Sequence, residues 1–160
     1  MIRLATTADL PEILSVYAHA RTFMAQNGNP TQWGTTYPAV EMLEEDIRLG
    51  RLYVDVQSGA VCGVFMFVIW EDPTYGYIED GAWLAPSPYG VIHRVASNGT
   101  VPGTLSRCLE FCRGQITHLR IDTHADNYPM QHLLDKMNFT RCGIVYMEDG
   151  SPRIAYEWLK

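Results

Sequence analysis

The sequence predicts a single α/β domain over residues 1–160, in which about four helices cover both faces of a mixed sheet of about seven strands. Two observations carry this prediction. Residues 89–112 read as an apolar strand, a loop with two glycines and an amphipathic helix. The whole chain also alternates, in the order strand, two helices, hairpin, strand, helix, strand, helix, hairpin. Such alternation is typical of a sheet with helices packed on it.

The first third of the chain is predicted as a strand followed by two helices. Residues 2–5 form a short strand. Asp9 and Glu12 have the spacing of a capping box, so we expect the first helix to begin there and to end at the Asn-Gly-Asn-Pro break of residues 27–30. Apolar residues at helical spacing predict a second helix around residues 40–47.

The rest of the chain is predicted as strands with two further helices. Ser58 and Gly59 form the turn between a half-exposed strand and the apolar strand 61–70, whereas residues 71–88 are irregular and rich in aromatic side chains. The remaining elements are a strand at 91–96, a helix from about residue 103, a strand at 118–123, a short helix capped near Asn127, and a final hairpin with strands at 139–147 and 153–158.

The composition and charge of the chain indicate which classes of binding partner to expect. The net charge of −6 and the lack of a Lys/Arg cluster argue against nucleic acid, and an acidic surface mildly favours a cationic substrate. No apolar run reaches membrane-spanning length, so we expect no membrane partner. The N-terminal sequence lacks the features of a signal peptide, and the four cysteines lie in apolar patterns. Both observations predict a cytoplasmic protein.

The loop after the 91–96 strand is the first candidate site. A glycine-containing loop that leads from a strand into a helix presents unpaired backbone N–H groups at the positive end of the helix dipole, which suits a phosphate group. Glycine also permits close approach of a ligand to the backbone. The alternative is an ordinary connection between a strand and a helix.

Four segments match a known family: IRLATTADLPEI, RLYVDVQSGAVCGVF, HRVAS and LRIDTHADNYPMQHLLDKMNF. Together with the element order, they resemble the GNAT superfamily of acyl-CoA N-acyltransferases over nearly the whole chain. The resemblance implies acetyl-CoA as co-substrate and direct attack of an amine on the thioester. It also implies that the fourth strand holds the pantetheine arm by main-chain hydrogen bonds, and that it supplies a main-chain N–H to the thioester carbonyl.

The sequence departs from the family at two places. The family's pyrophosphate loop reads Arg/Gln-x-x-Gly-x-Gly/Ala, whereas residues 98–103 read Asn-Gly-Thr-Val-Pro-Gly, with no charged residue and with Pro102 lacking an N–H donor. In the fourth helix Leu134 stands where the family often has a tyrosine acid, and Asn138 replaces the usual glycine. We therefore expect backbone N–H groups alone to bind the pyrophosphate, with atypical or weaker affinity.

The resemblance assigns the cofactor to the end of the fourth strand, the loop and one asparagine of the fourth helix. The residues are Val95, Ala96, Ser97, Asn98, Gly99, Thr100, Gly103, Thr104 and Asn127. The N–H groups of the strand could instead pair within the sheet. Asn127 could also cap the fourth helix, a role that needs no cofactor.

The candidates for proton transfer are two bases and one of two tyrosine acids. His93 could take the proton of the amine, or it could be a structural histidine in the core. Glu79 is a second candidate base, with Asp80 as a binding partner for a cationic substrate. A solvated loop pair is the alternative for both. Tyr146, or Tyr128, could replace the missing tyrosine as the acid for the leaving thiolate.

The resemblance also implies which residues line the pocket for the acceptor amine. The family builds this pocket from the loop between its first two helices and from the approach to strand four, which implies Trp33, Tyr37 and Trp83 together with Asp80. Packing would equally account for the aromatic residues. Arg94 is expected to pair with Asp122 on the neighbouring strand.

No metal site is expected, because His118, Asp122, His124 and Asp126 lack any three-ligand motif. The resemblance implies an N-acetyltransferase for a primary amine of a small molecule or a protein, with a homodimer as one possible assembly. The alternative is a non-catalytic module of the same fold that binds acyl-CoA or another ligand.

Overall fold

The computed structural model describes residues 1–160 and contains seven strands and four α-helices. The strands are β1 (Ile2–Leu4), β2 (Leu52–Gln57), β3 (Ala60–Ile69), β4 (Gly90–Ser97), β5 (His118–Thr123), β6 (Thr140–Tyr146) and β7 (Pro152–Leu159). The helices are α1 (Leu10–Gln26), α2 (Val40–Arg48), α3 (Thr104–Arg113) and α4 (Tyr128–Lys136). The strands form one mixed sheet in the order β1-β2-β3-β4-β5-β7-β6. The predicted fold class is confirmed. No helix has the length and apolar character needed to cross a membrane.

The chain folds as two compact units. Unit 1 comprises Met1–Phe67 and His93–Phe111, and unit 2 comprises Val68–Ile92 and Cys112–Lys160. Strand β4 therefore passes from unit 2, at residues 90–92, into unit 1, at residues 93–97.

Unit 1 contains β1, β2 and residues 60–67 of β3, paired antiparallel, together with α1, α2 and residues 104–111 of α3. In α1 the fully or nearly fully buried side chains recur at helical spacing, which is the reason the sequence pattern located this helix. The capping box was assigned to the wrong residues. Asp9 accepts the Thr6 N–H at 2.8 Å within a preceding 3₁₀ turn, and Glu12 instead accepts the N–H of Val61 at 2.9 Å.

Unit 2 combines antiparallel β5-β7-β6 pairing with a parallel pairing of residues 90–92 to β5. Part of the segment predicted as irregular pairs with the free edge of β6. Glu79 exchanges two backbone hydrogen bonds of 2.8 Å with Ile144, and the Ala82 N–H donates to Cys142 O at 3.0 Å. A Cβ at Gly81 would lie 1.8 Å from Cys142 O, so only glycine permits this approach.

Candidate functional site

Arg94 interrupts the regular geometry of β4. Its φ of 55° lies in the left-handed region, which is uncommon for a non-glycine residue. His93 and Arg94 are both half-buried and lie between buried residues of the strand. The Arg94 carbonyl accepts the hydroxyl of Tyr17 at 2.7 Å, and complete burial raises the pKa of that hydroxyl far above its usual value. The irregularity is therefore supported by a buried hydrogen bond.

The Arg94 side chain binds a buried carboxylate of α2. Its Nη2 and Nε lie 2.5 and 3.1 Å from Asp46 Oδ2, and the Arg51 Nε donates to Asp46 Oδ1 at 2.8 Å. The prediction that Arg94 pairs with Asp122 is wrong, since Asp122 accepts the Tyr75 hydroxyl at 2.7 Å. The left-handed backbone at Arg94 redirects its side chain away from the direction that regular strand alternation implied.

The loop after β4 is built from short side-chain turns. The Asn98 N–H donates to Cys62 O at 3.0 Å, and its side chain accepts both the N–H and the hydroxyl of Thr100, at 3.1 and 2.7 Å. The Gly99 N–H donates to Ser97 Oγ at 3.0 Å. The backbone N–H groups of residues 98–100 thus already have protein acceptors.

The first turn of α3 offers the remaining donors. Its first i→i−4 hydrogen bond runs from the Arg107 N–H to Gly103 O at 3.0 Å. The preceding amides of Thr104, Leu105 and Ser106 therefore have no α-helical acceptor, and they lie at the positive end of the helix dipole. Sequence reasoning included Gly103 and Thr104 but missed the next two amides, because the start of the helix was placed only approximately.

Arg107 is a cation at this loop that sequence reasoning missed. Its guanidinium donates to Pro102 O at 2.9 Å and to Thr104 Oγ1 at 3.0 Å. It also binds the fully buried carboxylate of Asp55 at 2.9 Å, and this hydrogen bond raises the pKa of Arg107 above its usual value. The position four residues after Gly103 was visible in the sequence, but the return of the side chain to the loop depends on Asp55 from β2.

The predicted aromatic residues of unit 1 lie together. The Trp33 ring lies 5.6 Å from that of Tyr17 and 6.1 Å from that of Tyr37, measured between centroids. The Tyr37 hydroxyl is 3.4 Å from Arg94 Nη1. His93, the predicted base on β4, is half-buried.

In unit 2, Glu79 and Tyr146 meet directly. The Tyr146 hydroxyl donates a short hydrogen bond to Glu79 Oε2, and this bond is the main reason that the pKa of Tyr146 is raised. The ring of Tyr77 stacks on Tyr146 with 6.4 Å between centroids, while Asp80 is exposed beside them. Two of the three predicted catalytic residues thus form one pair.

The other predicted residues of unit 2 have structural contacts. Asn127 caps α4 by accepting the Met130 N–H at 3.2 Å, as its alternative role predicted. Trp83 donates to Tyr75 O at 2.9 Å, and the guanidinium of Arg120 lies 4.1 Å from the Trp83 ring centroid. No group of three or more His, Cys, Asp or Glu side chains is arranged to hold a metal ion.

Comparison with known proteins gives a structural likeness. No family model and no curated protein sequence matches the chain. A GNAT-family acetyltransferase from Streptococcus agalactiae is 28% identical, with a TM-score of 0.90 over 100% of this chain and 95% of that one. A GNAT-family acetyltransferase from Listeria monocytogenes is 20% identical, with a TM-score of 0.72 over 100% and 94% of the two chains. A proposed acetyltransferase from Salmonella typhimurium, solved with its cofactor acetyl-CoA, is 17% identical, with a TM-score of 0.61 over 99% and 92%.

Proposed function

The chain has the fold of the GNAT acetyltransferases, and from this premise we propose that it moves an acetyl group from acetyl-CoA to a primary amine. The observation that carries the proposal is the continuous run of β4, its loop and the first turn of α3, within a fold that matches an acetyltransferase over its whole length. The acceptor belongs to a small molecule or to a protein.

The residues present fit the pyrophosphate of acetyl-CoA. The N–H groups of Thr104, Leu105 and Ser106 have no α-helical acceptors and point along the dipole axis, and Gly103 has no side chain to obstruct a ligand. Arg107 and Asp55 neutralise each other beside the loop, so the site keeps the attraction of the helix dipole without a repelling carboxylate. Ser97, Asn98, Gly99 and Thr100 shape the loop through their own hydrogen bonds. Asn127 is proposed to contact the pantetheine arm in addition to its cap.

In the proposed reaction, acetyl-CoA supplies the thioester. The main chain of Val95, Ala96 and Ser97 is proposed to hold the pantetheine arm, and one of its N–H groups to stabilise the developing oxyanion, a contribution worth about 3 kcal/mol. The amine nitrogen bonds to the carbonyl carbon, the carbon–sulfur bond breaks, and the proton of the amine passes to His93 or Glu79, directly or through water. Trp33, Tyr37, Asp80 and Trp83 are proposed to bind the acceptor.

Tyr146 is proposed to protonate the departing thiolate. The Tyr146 phenol carries its proton at neutral pH, as an ordinary phenol does, and its hydrogen bond to Glu79 raises its pKa further. We expect Tyr146→Phe to lower kcat by roughly 10²-fold, with unchanged affinity for CoA by calorimetry. Tyr77→Phe, which keeps the ring stacked on Tyr146, is the control. Equal rates for Tyr146→Phe and the wild type would remove Tyr146 from the acid role.

The proposed function is tested by release of free thiol from acetyl-CoA across a panel of amines, in parallel with calorimetric titration of CoA. We expect CoA binding and amine-dependent thiol release. One observation favours a second candidate, a non-catalytic acyl-CoA-binding module: the position where the family often has a tyrosine acid is occupied by Leu134, which is fully buried. Binding without release for any amine would support that module. If CoA does not bind, both proposals fail.

A further inference from the structure

Arg94 is tied to the helices of unit 1 through both its backbone and its side chain. Its carbonyl accepts the Tyr17 hydroxyl of α1, and its guanidinium binds Asp46 of α2. It directly precedes Val95, where the proposed main-chain donors begin. These two attachments are made by one residue at the single left-handed position of the strand.

The side chains around Arg94 form a closed circuit. From the guanidinium the contacts run to the Tyr37 hydroxyl at 3.4 Å, then through the ring contacts of Trp33 with Tyr37 and with Tyr17. The Tyr17 hydroxyl closes the circuit by donating to the Arg94 carbonyl at 2.7 Å. A shift of the loop that carries Trp33 and Tyr37 would therefore disturb β4, and a shift of β4 would disturb the loop.

Burial makes this pair sensitive to the loss of either partner. The Asp46 side chain is fully buried and the Arg94 side chain is 10% exposed, so removal of one charge would leave the other buried and uncompensated. Arg51, which binds the other oxygen of Asp46, is 27% exposed and is not one of the residues that form the circuit described above. Arg51 thus shares the carboxylate with Arg94 but not the connection to β4.

We propose that Arg94 is a positioning residue, whose guanidinium holds the Trp33–Tyr37 loop against β4 and so sets the affinity for the acceptor amine. Its left-handed backbone independently maintains the conformation of the following main-chain donors. This inference rests on the proposed acetyl transfer. In it, the Arg94 side chain affects binding of the acceptor amine, and the Arg94 backbone conformation affects binding of CoA.

Two substitutions separate these contributions. Arg94→Gly removes the guanidinium but keeps a residue that adopts positive φ without strain. Arg94→Val removes the guanidinium and also opposes positive φ, because β-branched residues are genuine outliers there. Arg94→Lys keeps a cation able to reach Asp46, and Arg51→Ala is the matched control on the same carboxylate.

We expect Arg94→Gly to raise the KM for the amine by roughly tenfold, with CoA affinity unchanged in calorimetry. Arg94→Val should in addition weaken CoA binding, and Arg94→Lys should restore part of the amine KM. Arg51→Ala should leave both constants at their wild-type values. Equal effects of Arg94→Gly and Arg51→Ala on the amine KM would overturn the role of the guanidinium. Equal CoA affinity of the Gly and Val variants would overturn the role of the backbone.

Hydrogen–deuterium exchange tests the inference without turnover. Amide exchange of residues 31–38 should accelerate in Arg94→Gly and not in Arg51→Ala, whereas exchange of residues 95–97 should accelerate only in Arg94→Val. If no amine supports thiol release but this exchange pattern holds, acetyl transfer fails while the positioning by Arg94 stands. Unchanged exchange of residues 31–38 in Arg94→Gly refutes the positioning role whatever the activity.

Discussion

Asp46 in unit 1 and Glu157 in unit 2 are both fully buried carboxylates, but they hold different kinds of partner. Asp46 is bound by two arginine side chains, Arg94 and Arg51. Glu157 binds the Arg120 guanidinium at 3.0 Å and also accepts the backbone N–H groups of Leu84 and Ala85, at 3.0 and 3.2 Å. The Asp46 carboxylate therefore binds two side chains, whereas the Glu157 carboxylate binds one side chain and also two backbone N–H groups.

Arg120, the partner of Glu157, makes further contacts with the same segment of unit 2. Its guanidinium lies 4.1 and 4.0 Å from the ring centroids of Trp83 and Tyr89, and it donates to Ala85 O at 2.8 Å. The contacts of Arg120 and Glu157 with residues 83–89 thus anchor the segment that leads into β4 within unit 2. We infer that Glu157 serves the fold of unit 2, whereas Asp46 serves the conformation of a proposed site in unit 1.

The largest expected effect is that of Glu157→Ala on stability. Removal of the carboxylate leaves the buried guanidinium of Arg120 uncompensated, which lowers the free energy of unfolding by about 3–5 kcal/mol in urea denaturation. Glu157→Gln, which keeps an acceptor oxygen for the two amides, should lose less. Replacement of Glu45, whose pair with Arg48 is exposed, is the control and should not move the midpoint. A Glu157→Ala midpoint equal to this control would refute the anchoring role.

We expect Asp46→Ala to lower the free energy of unfolding by about 2–3 kcal/mol in total, which is less than the loss in Glu157→Ala. The reason is that the partly exposed Arg51 can turn towards water. Its effect on the amine KM should nevertheless match that of Arg94→Gly, since the same attachment is lost. Urea denaturation and steady-state kinetics of the thiol assay measure the two quantities. If Asp46→Ala proves the more destabilising of the two, the distinction between the carboxylates is wrong.

Gly63 tests the packing of β3 against α3 in unit 1. A Cβ at this position would lie 2.5 Å from Thr104 Cγ2, the side chain that begins α3. We expect Gly63→Ala to cost about 1–3 kcal/mol through this overlap. Thr104→Ser removes the methyl group, so the double variant should recover most of the loss in urea denaturation. Failure of that recovery would mean that the β3 backbone, rather than the overlap with Thr104, responds to the substitution.

The regular elements could be predicted because their signals are local. The apolar run of β3 and the helical spacing in α1 and α3 located those elements to within one or two residues. The left-handed conformation of Arg94 could not be predicted in this way, because a lone arginine in an apolar strand carries no signal of positive φ. The residues that contact Arg94, Tyr17 and Asp46, are 77 and 48 positions away in the sequence.

In the candidate site, too, the features set by local sequence could be predicted and those set by long-range contacts could not. Gly103 and the start of α3 followed from the glycine loop, and the cap at Asn127 followed from its position before Tyr128 and Pro129. The pairing of Glu79 with Tyr146 required residues 79–82 to lie along the edge of β6, which depends on the close backbone contact at Gly81. Long-range contacts of this kind leave no periodic trace in the sequence.

The smallest expected effect concerns Asp9, a carboxylate of unit 1 whose partner Arg3 is 38% exposed. The hydrogen bond from Arg3 lowers the pKa of Asp9 to about 2. Because the unfolded chain has a pKa of about 3.9, the charged pair stabilises the fold above about pH 4, and this contribution is lost as the pH falls towards 2. Asp9→Asn keeps an acceptor for the Thr6 N–H and removes only the charge. We expect the wild type to exceed this variant in free energy of unfolding at pH 6, with the difference shrinking steadily below pH 4. A difference that stays constant down to about pH 2.5 would show that Asp9 stabilises the fold mainly through its hydrogen-bond geometry rather than its charge.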